Sequence, residues 1–272
     1  MKLLLPFITA LTITLTATAQ DINSHFVDNS GHKIHYKTAG EGTPLVLIFG
    51  FGMSLEDWFQ FGYASELTKK FKVIAIDPRG HGKSEAPTSP SEYKLKKLST
   101  DIASVLNQLN VEQTYIFGYS LGAAIAVGVA KYNPKIVKGL IIGGLEIKPK
   151  VDLSNDIVSK TLESGPAAWE KLWESLIDVP VPMRERLNSI NTEALLALRR
   201  EQANWNSLKP TLKKLSIPTL LIAAKEGFAY KDMLKAHRLL QNSKLIAIPS
   251  ENHFTLIPKM KPLMEKIFDY TK

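Results

Sequence analysis

Gly118-Tyr119-Ser120-Leu121-Gly122 stands directly after the apolar run Tyr115-Ile116-Phe117 and directly before the small residues Ala123 to Ala126. A strand that passes into a helix over so few residues must turn sharply, and a Cβ on either flank of such a turn collides with neighbouring backbone, which is why glycine is needed there. The serine between them projects from the turn. The helix that starts beside it aims free N–H groups and its positive dipole end at the same point. Ser120 is therefore either a helix N-cap or an exposed nucleophile, and G-x-S-x-G in a strand-turn-helix setting favours the nucleophile.

The rest of the chain supplies the matching frame. His25 to Asp28 and Lys33 to Lys37 alternate polar and apolar residues about Asn29-Ser30-Gly31, which predicts an edge hairpin. Six further apolar runs follow, Leu45 to Phe49, Lys72 to Ile76, Thr114 to Phe117, Gly139 to Ile142, Thr219 to Ala223 and Lys244 to Ile248, with helical patterns between them. Strands apolar on both faces and separated by crossover helices form a mostly parallel sheet covered on both sides, so the fold class is α/β with eight strands. Leu98, Ile102, Val105, Leu106 and Leu109 share one face of a helix predicted over Leu95 to Leu109, with Ser99-Thr100-Asp101 as its capping signal. From Lys148 to Lys209 there are helical patterns and prolines but no clear strand, which predicts a helical cap inserted at about 148–209 into one domain spanning 20–272. A chain of 272 residues is near the upper size for one domain.

Met1-Lys2, the apolar run Leu3 to Leu15 and then Ala17-Thr18-Ala19 have the order of an export signal over residues 1–19, with a mature start at Gln20 and a periplasmic or secreted destination. The absence of cysteine excludes a disulfide framework and a thiol nucleophile. The formal charge of +8 is spread over separated lysine pairs and runs, so it reads as a solvated basic surface and no nucleic-acid partner is expected. Stable membrane insertion after signal removal is not expected either.

These motifs resemble the α/β-hydrolase family over nearly the whole mature chain. Asp77-Pro78-Arg79-Gly80-His81-Gly82-Lys83-Ser84 matches the family's D-x-R-G-x-G-x-S loop, which implies that this segment braces the cleft wall and that His81 is not the catalytic histidine. Phe49-Gly50-Phe51-Gly52 stands where the family usually has His-Gly, with Phe49 in place of the histidine. The resemblance implies an oxyanion hole made by the backbone N–H groups of Phe51 and Leu121. Asn252-His253-Phe254, after the last strand, stands where the family has Gly-His-Phe, which makes His253 the general base. His25, His32 and His35 lie in the edge hairpin and His237 in a predicted helix.

The acid departs from the common pattern. Gly227, in Ala223-Ala224-Lys225-Glu226-Gly227, occupies the place of the usual Asp. Haloalkane dehalogenases keep the acid after the preceding strand in a segment resembling M-E-F-x-R-P, and Gly144-Leu145-Glu146-Ile147-Lys148-Pro149 is similar to it. The resemblance implies Glu146 as the acid, with Glu226 in reserve. It does not extend to dehalogenation, because Ser120 and Leu121 stand where those enzymes have an aspartate nucleophile and a halide-holding tryptophan, and a serine forms acyl-enzymes.

The expected activity is that of a serine esterase acting on a small acyl substrate, with no metal or organic cofactor. Trp58, Trp169 and Trp173 are the candidate substrate-binding residues, and Met183, Leu187, Leu195, Leu196 and Trp205 offer further apolar surface for an acyl pocket or for packing the cap. The same site serves carbon–carbon bond hydrolysis or acyl transfer as alternatives, and a ligand-binding protein on a hydrolase scaffold is the alternative from another class.

Overall fold

The computed structural model describes residues 22–271; the expected export signal and the start at Gln20 lie outside them. Eight strands, β1 (Asn23–Asn29), β2 (His32–Ala39), β3 (Thr43–Ile48), β4 (Phe71–Ile76), β5 (Thr114–Tyr119), β6 (Val137–Gly143), β7 (Thr219–Ala224) and β8 (Ser243–Ile248), form one sheet in the order β1-β2-β4-β3-β5-β6-β7-β8. β1 pairs with β2 and β2 with β4 antiparallel, and every other pair is parallel. The expected eight-stranded, mostly parallel sheet is what forms. At the hairpin Asn29 pairs with His32, and Ser30 and Gly31 both take positive φ (57° and 85°), the twist that matches two antiparallel strands.

Helices α1 (Leu55–Gln60), α2 (Tyr63–Leu67), α3 (Leu95–Gln108), α4 (Leu121–Tyr132), α5 (Ile157–Glu163), α6 (Pro166–Glu174), α7 (Val181–Asn188), α8 (Thr192–Ala203), α9 (Lys209–Lys214), α10 (Tyr230–Leu239) and α11 (Met264–Tyr270) complete the chain. α4 is buried from Leu121 to Ala130, which its run of alanine, valine and isoleucine allows and a surface helix would not. α3 buries Leu98, Ile102, Val105 and Leu106, the predicted face.

The predicted capping signal of α3 is corrected. The helix starts at Leu95 with Lys94 as its cap, so Ser99-Thr100-Asp101 lies inside it. The hydroxyls of Ser99 and Thr100 donate back to the carbonyls of Leu95 and Lys97. Asp101, fully buried, accepts two bonds from Arg79, at 2.7 Å and 2.6 Å. A guanidinium at 2% exposure needs a paired carboxylate, and that requirement places the aspartate.

Arg79 belongs to the loop after β4. There the Asp77 carboxylate accepts from Leu55 N at 2.7 Å and Lys83 N at 3.0 Å, and sits 2.7 Å from His35 Nδ1. A Cβ on Gly82 would lie 2.1 Å from that carboxylate. His81 is buried in the same loop, with its ring 6.0 Å edge-on from Phe51.

Between β6 and β7 the chain forms α5 to α9. Arg186 of α7 pairs with buried Asp57 of α1 and Trp205 Nε1 donates to the Tyr93 carbonyl at 3.2 Å, contacts that tie this stretch to the sheet side. Leu208 N donates to the Ile147 carbonyl at 2.7 Å and joins the end of the stretch to its start. Trp169 of α6 lies edge-on to Phe51, ring centres 5.8 Å apart, which brings α6 over the carboxyl ends of β3 and β5. No helix among the described residues is long and apolar enough to cross a membrane.

Candidate active site

The turn between β5 and α4 has no slack. A Cβ on Gly118 would lie 2.2 Å from the Gly122 carbonyl oxygen, and one on Gly122 would lie 2.1 Å from that of Ile48. Ser120 itself takes φ 56° and ψ −115°, a conformation that costs an L-residue about 1–3 kcal/mol. Its N–H donates to the Gly143 carbonyl at 2.8 Å, and its carbonyl accepts from Ala123 N at 3.0 Å, so surrounding bonds hold the strain. Gly50 closes the other side, where a Cβ would come within 3.2 Å of the Ser120 Cβ.

His253 reaches this serine from the loop after β8, with Nε2 3.0 Å from Ser120 Oγ. Asn252 shapes the loop: its Oδ1 accepts from Phe254 N at 2.8 Å and Thr255 N at 3.0 Å, while its own N–H donates to Thr255 Oγ1 at 2.9 Å. The Tyr119 hydroxyl donates to the His253 carbonyl at 2.7 Å, and the Phe228 and Tyr119 rings lie 4.3 Å and 5.3 Å from the imidazole. Burial pushes the His253 pKa down to about 4, so near neutral pH the ring is uncharged and Nε2 is able to accept a proton.

Phe51 follows β3 and Leu121 begins α4, both beside Ser120, and their N–H groups have no acceptor among the described residues. Phe49 is buried against Trp58, ring centres 4.3 Å apart, so its ring fills core space at the position where the resemblance leads one to expect histidine.

An α/β hydrolase fold family model matches residues 43–174, from β3 through the Gly118–Gly122 turn into α6. The chain belongs to the α/β-hydrolase family. This α/β-hydrolase is 36% identical to human epoxide hydrolase 4 over 119 residues, 43% of the chain and 32% of that protein, so it spans about a third of that relative's length. It is 26% identical over 246 residues to a Bacillus subtilis (strain 168) protein named putative 2-succinyl-6-hydroxy-2,4-cyclohexadiene-1-carboxylate synthase, covering 81% of the chain and 88% of the relative. Among solved structures, the enol-lactonase from Burkholderia xenovorans LB400 superposes with a TM-score of 0.78 at 17% identity, over 91% of this chain and 99% of that one. These structural likenesses establish the fold.

In this α/β-hydrolase neither expected acid touches the imidazole, which corrects the expectation for Glu146 and Glu226 alike. Gly144, at the end of β6, turns with φ +61° and packs on the ring: a Cβ there would lie 2.8 Å from His253 Nδ1. By Glu146 the chain has passed the imidazole, and the charges acting on its carboxylate are those of Arg199, Asp232 and Lys150. Glu226 is exposed. No carboxylate among the described residues bonds to His253, and burial alone accounts for its lowered pKa.

Ser120 and His253 open into a cavity of about 410 Å³ walled by Trp169, Leu172, Trp173 and Leu176 on one side and by Phe254 and Ile257 on another. Trp169 and Trp173 therefore lie where substrate binding was expected. Trp58 does not: it is fully buried between Phe49, Phe117 and Tyr63, a core residue whose place the apolar strand ends around it dictate. Met183, Leu187 and Leu195 face a second space of about 270 Å³ beside the Asp77 loop, whereas Trp205 lines the Ser120 cavity. Tyr119 and Phe228 were not singled out in the sequence; the first is the variable residue of the G-x-S-x-G motif and the second follows Gly227. Among the described residues no three His, Cys, Asp or Glu side chains converge as a metal site.

Proposed function

We propose that the protein is a serine hydrolase that cleaves a carboxylic ester or a related acyl substrate through an acyl-enzyme. The observation that carries this reading is the 3.0 Å contact between Ser120 Oγ and a neutral, buried His253 Nε2. In the first step His253 takes the Ser120 proton as Oγ attacks the acyl carbonyl, and the N–H groups of Phe51 and Leu121 receive the negative oxygen. His253 then protonates the leaving group, and in the second step it draws a proton from the water that attacks the acyl carbon and passes it to Ser120 Oγ as the acid leaves. Ser120 and His253 act as a dyad, and the transient imidazolium forms without a carboxylate in contact. Losing the carboxylate's charge in a triad costs about 10⁴ in turnover, so the dyad reading implies a slow enzyme.

Several relatives are named epoxide hydrolases. A serine that opened an epoxide would form an alkyl ether, which the site has no means of hydrolysing, so the nucleophile favours an acyl carbonyl over an epoxide carbon. An esterase and an enol-lactonase among proteins of the same fold are consistent with acyl chemistry.

The test is turnover of short and medium para-nitrophenyl esters, with water and an added alcohol competing for the acyl group. Free acid as the main product, lost in Ser120→Ala by at least about 10³-fold, supports the hydrolase. Mainly transesterified product identifies an acyltransferase. No turnover together with no labelling of Ser120 by a fluorophosphonate leaves only the binding-protein reading.

A further inference from the structure

The cavity that holds Ser120 is apolar along α6 but not throughout. Glu146, Asp156, Arg199 and Gln202 also line it. Arg199 is fixed by three bonds: Nε to Asp156 Oδ2 at 2.9 Å, Nη2 to Asp156 Oδ1 at 2.7 Å and Nη1 to Gln202 Oε1 at 3.2 Å. A guanidinium has five N–H groups, so one on each terminal nitrogen remains to be satisfied. Burial works to raise the pKa of Asp156, but the bonds from Arg199 and Ser159 outweigh it and keep the carboxylate below its ordinary value, so this pair stays charged and mutually neutral.

Glu146 is the opposite case. Its carboxylate is partly buried, feels the Arg199 charge at a distance and forms no hydrogen bond among the described residues. A carboxylate only half-exposed to water and without a protein donor has lost part of its solvation, and a ligand N–H replaces what was lost. Glu146 lies two residues beyond Gly144, which packs on the imidazole, so this polar end begins within roughly 7 Å of backbone from the catalytic side.

Among the residues that line the cavity, Arg199 and Lys150 balance Asp156 and Glu146 in formal charge. An anionic ligand group would meet two carboxylates, and a cationic one would meet the guanidinium. A neutral dipole satisfies both faces.

We infer that the Glu146–Arg199 end of the cavity recognises a neutral hydrogen-bonding group in the substrate's acyl chain, a secondary amide, whose carbonyl accepts from Arg199 and whose N–H donates to Glu146. That this group belongs to an acyl chain rests on the serine-hydrolase reading; the recognition itself does not. Gln202 holds one edge of the guanidinium, and the indole rings of Trp169 and Trp173 cover the methylene segment between the amide and the reacting carbonyl.

The experiment is calorimetric titration of Ser120→Ala with methyl esters of N-acetylglycine, N-acetyl-β-alanine and acetamidobutyric acid, each beside the hydrocarbon ester of equal chain length. Binding of at least one amide ester about tenfold tighter than its hydrocarbon counterpart is expected, as one charge-assisted hydrogen bond supplies that factor. Glu146→Met in the same background removes the difference. Equal binding across all pairs overturns the inference, as does a preference that survives Glu146→Met, or tighter binding of chains ending in carboxylate or ammonium. The ligand comparison within Ser120→Ala needs no second substitution, so it decides the matter even if Glu146→Met does not fold. Turnover of the hydrocarbon esters by the unaltered protein reports separately on hydrolysis.

Discussion

Ser120 and His253 are 3.0 Å apart at their reactive atoms and are held by different means. The serine is placed by backbone: glycines at 118 and 122 with carbonyl oxygens where a Cβ would have to go, a strained φ, and a bond from its own N–H to Gly143. The histidine is placed by packing from elsewhere in the chain: the Tyr119 hydroxyl on its carbonyl, the Phe228 ring over its face and the Gly144 backbone against its edge. A backbone lock is short-range and all-or-none. A packing lock is long-range and graded, so the two sides should fail differently when altered.

Gly122→Ala should have the largest effect. Its Cβ would lie 2.1 Å from the Ile48 oxygen, β3 or α4 must move, and destabilisation of about 3 kcal/mol or more is expected, read from denaturant unfolding. Retained stability would show that the turn relaxes and that the lock is weaker than its geometry implies.

On the histidine side the effect follows pH. With its pKa held at about 4 in the fold and 6.5 ordinarily, His253 stays neutral in the native state while the unfolded chain takes up a proton. Between these values the unfolded state binds more protons, so stability falls as pH drops from about 6.5 to about 4, by about 3 kcal/mol. Comparing unfolding at pH 4.5 and 7 with that of His253→Gln isolates this contribution from that of His81, which burial also pushes down. The acid limb of kcat/KM should correspondingly lie near pH 4 to 5 rather than 6.5.

Phe228→Ala sharpens the contrast by opening one face of the imidazole to water. The acid limb should move upward toward the ordinary value and turnover should fall several-fold, with little change in unfolding, because Phe228 is itself 59% exposed. A limb that stays in place would assign the low pKa to the deeper packing of Tyr119 and Gly144. The smallest effect is expected for Glu226→Gln, which should leave ester turnover within about twofold, and Glu146→Gln should reduce it by less than about tenfold. An acid in a working triad would cost about 10⁴.

The same division explains what could be read from the sequence. The turn at Gly118–Gly122 was legible because its requirement is local: two glycines, a serine and the apolar runs on either side. The parallel strands were legible because burial on both faces leaves an uninterrupted apolar run. His253 was legible through resemblance, because Asn252-His253-Phe254 stands after the last strand where the family has Gly-His-Phe. What depended on non-local partners was not legible. Ser99-Thr100-Asp101 has the composition of a cap, yet Asp101 serves a guanidinium 22 residues earlier in the chain. Trp58 has the composition of a pocket residue, yet three aromatic rings enclose it. Glu146 follows β6 in a segment similar to the one that carries the acid in haloalkane dehalogenases, but the left-handed turn at Gly144 carries it past the imidazole, and a φ angle is not visible in composition.

The backbone lock around Ser120 also bears on how a lineage carrying this chain can diversify. Gly118 and Gly122 offer nowhere to put an additional carbon, so a heritable change at either position is purged through instability before its chemistry is tried. Leu172 and Leu176 of the roof border the cavity, where a change of side chain meets open space and no backbone oxygen. New substrates are therefore acquired from above, one roof residue at a time, while the reacting pair below is inherited unchanged.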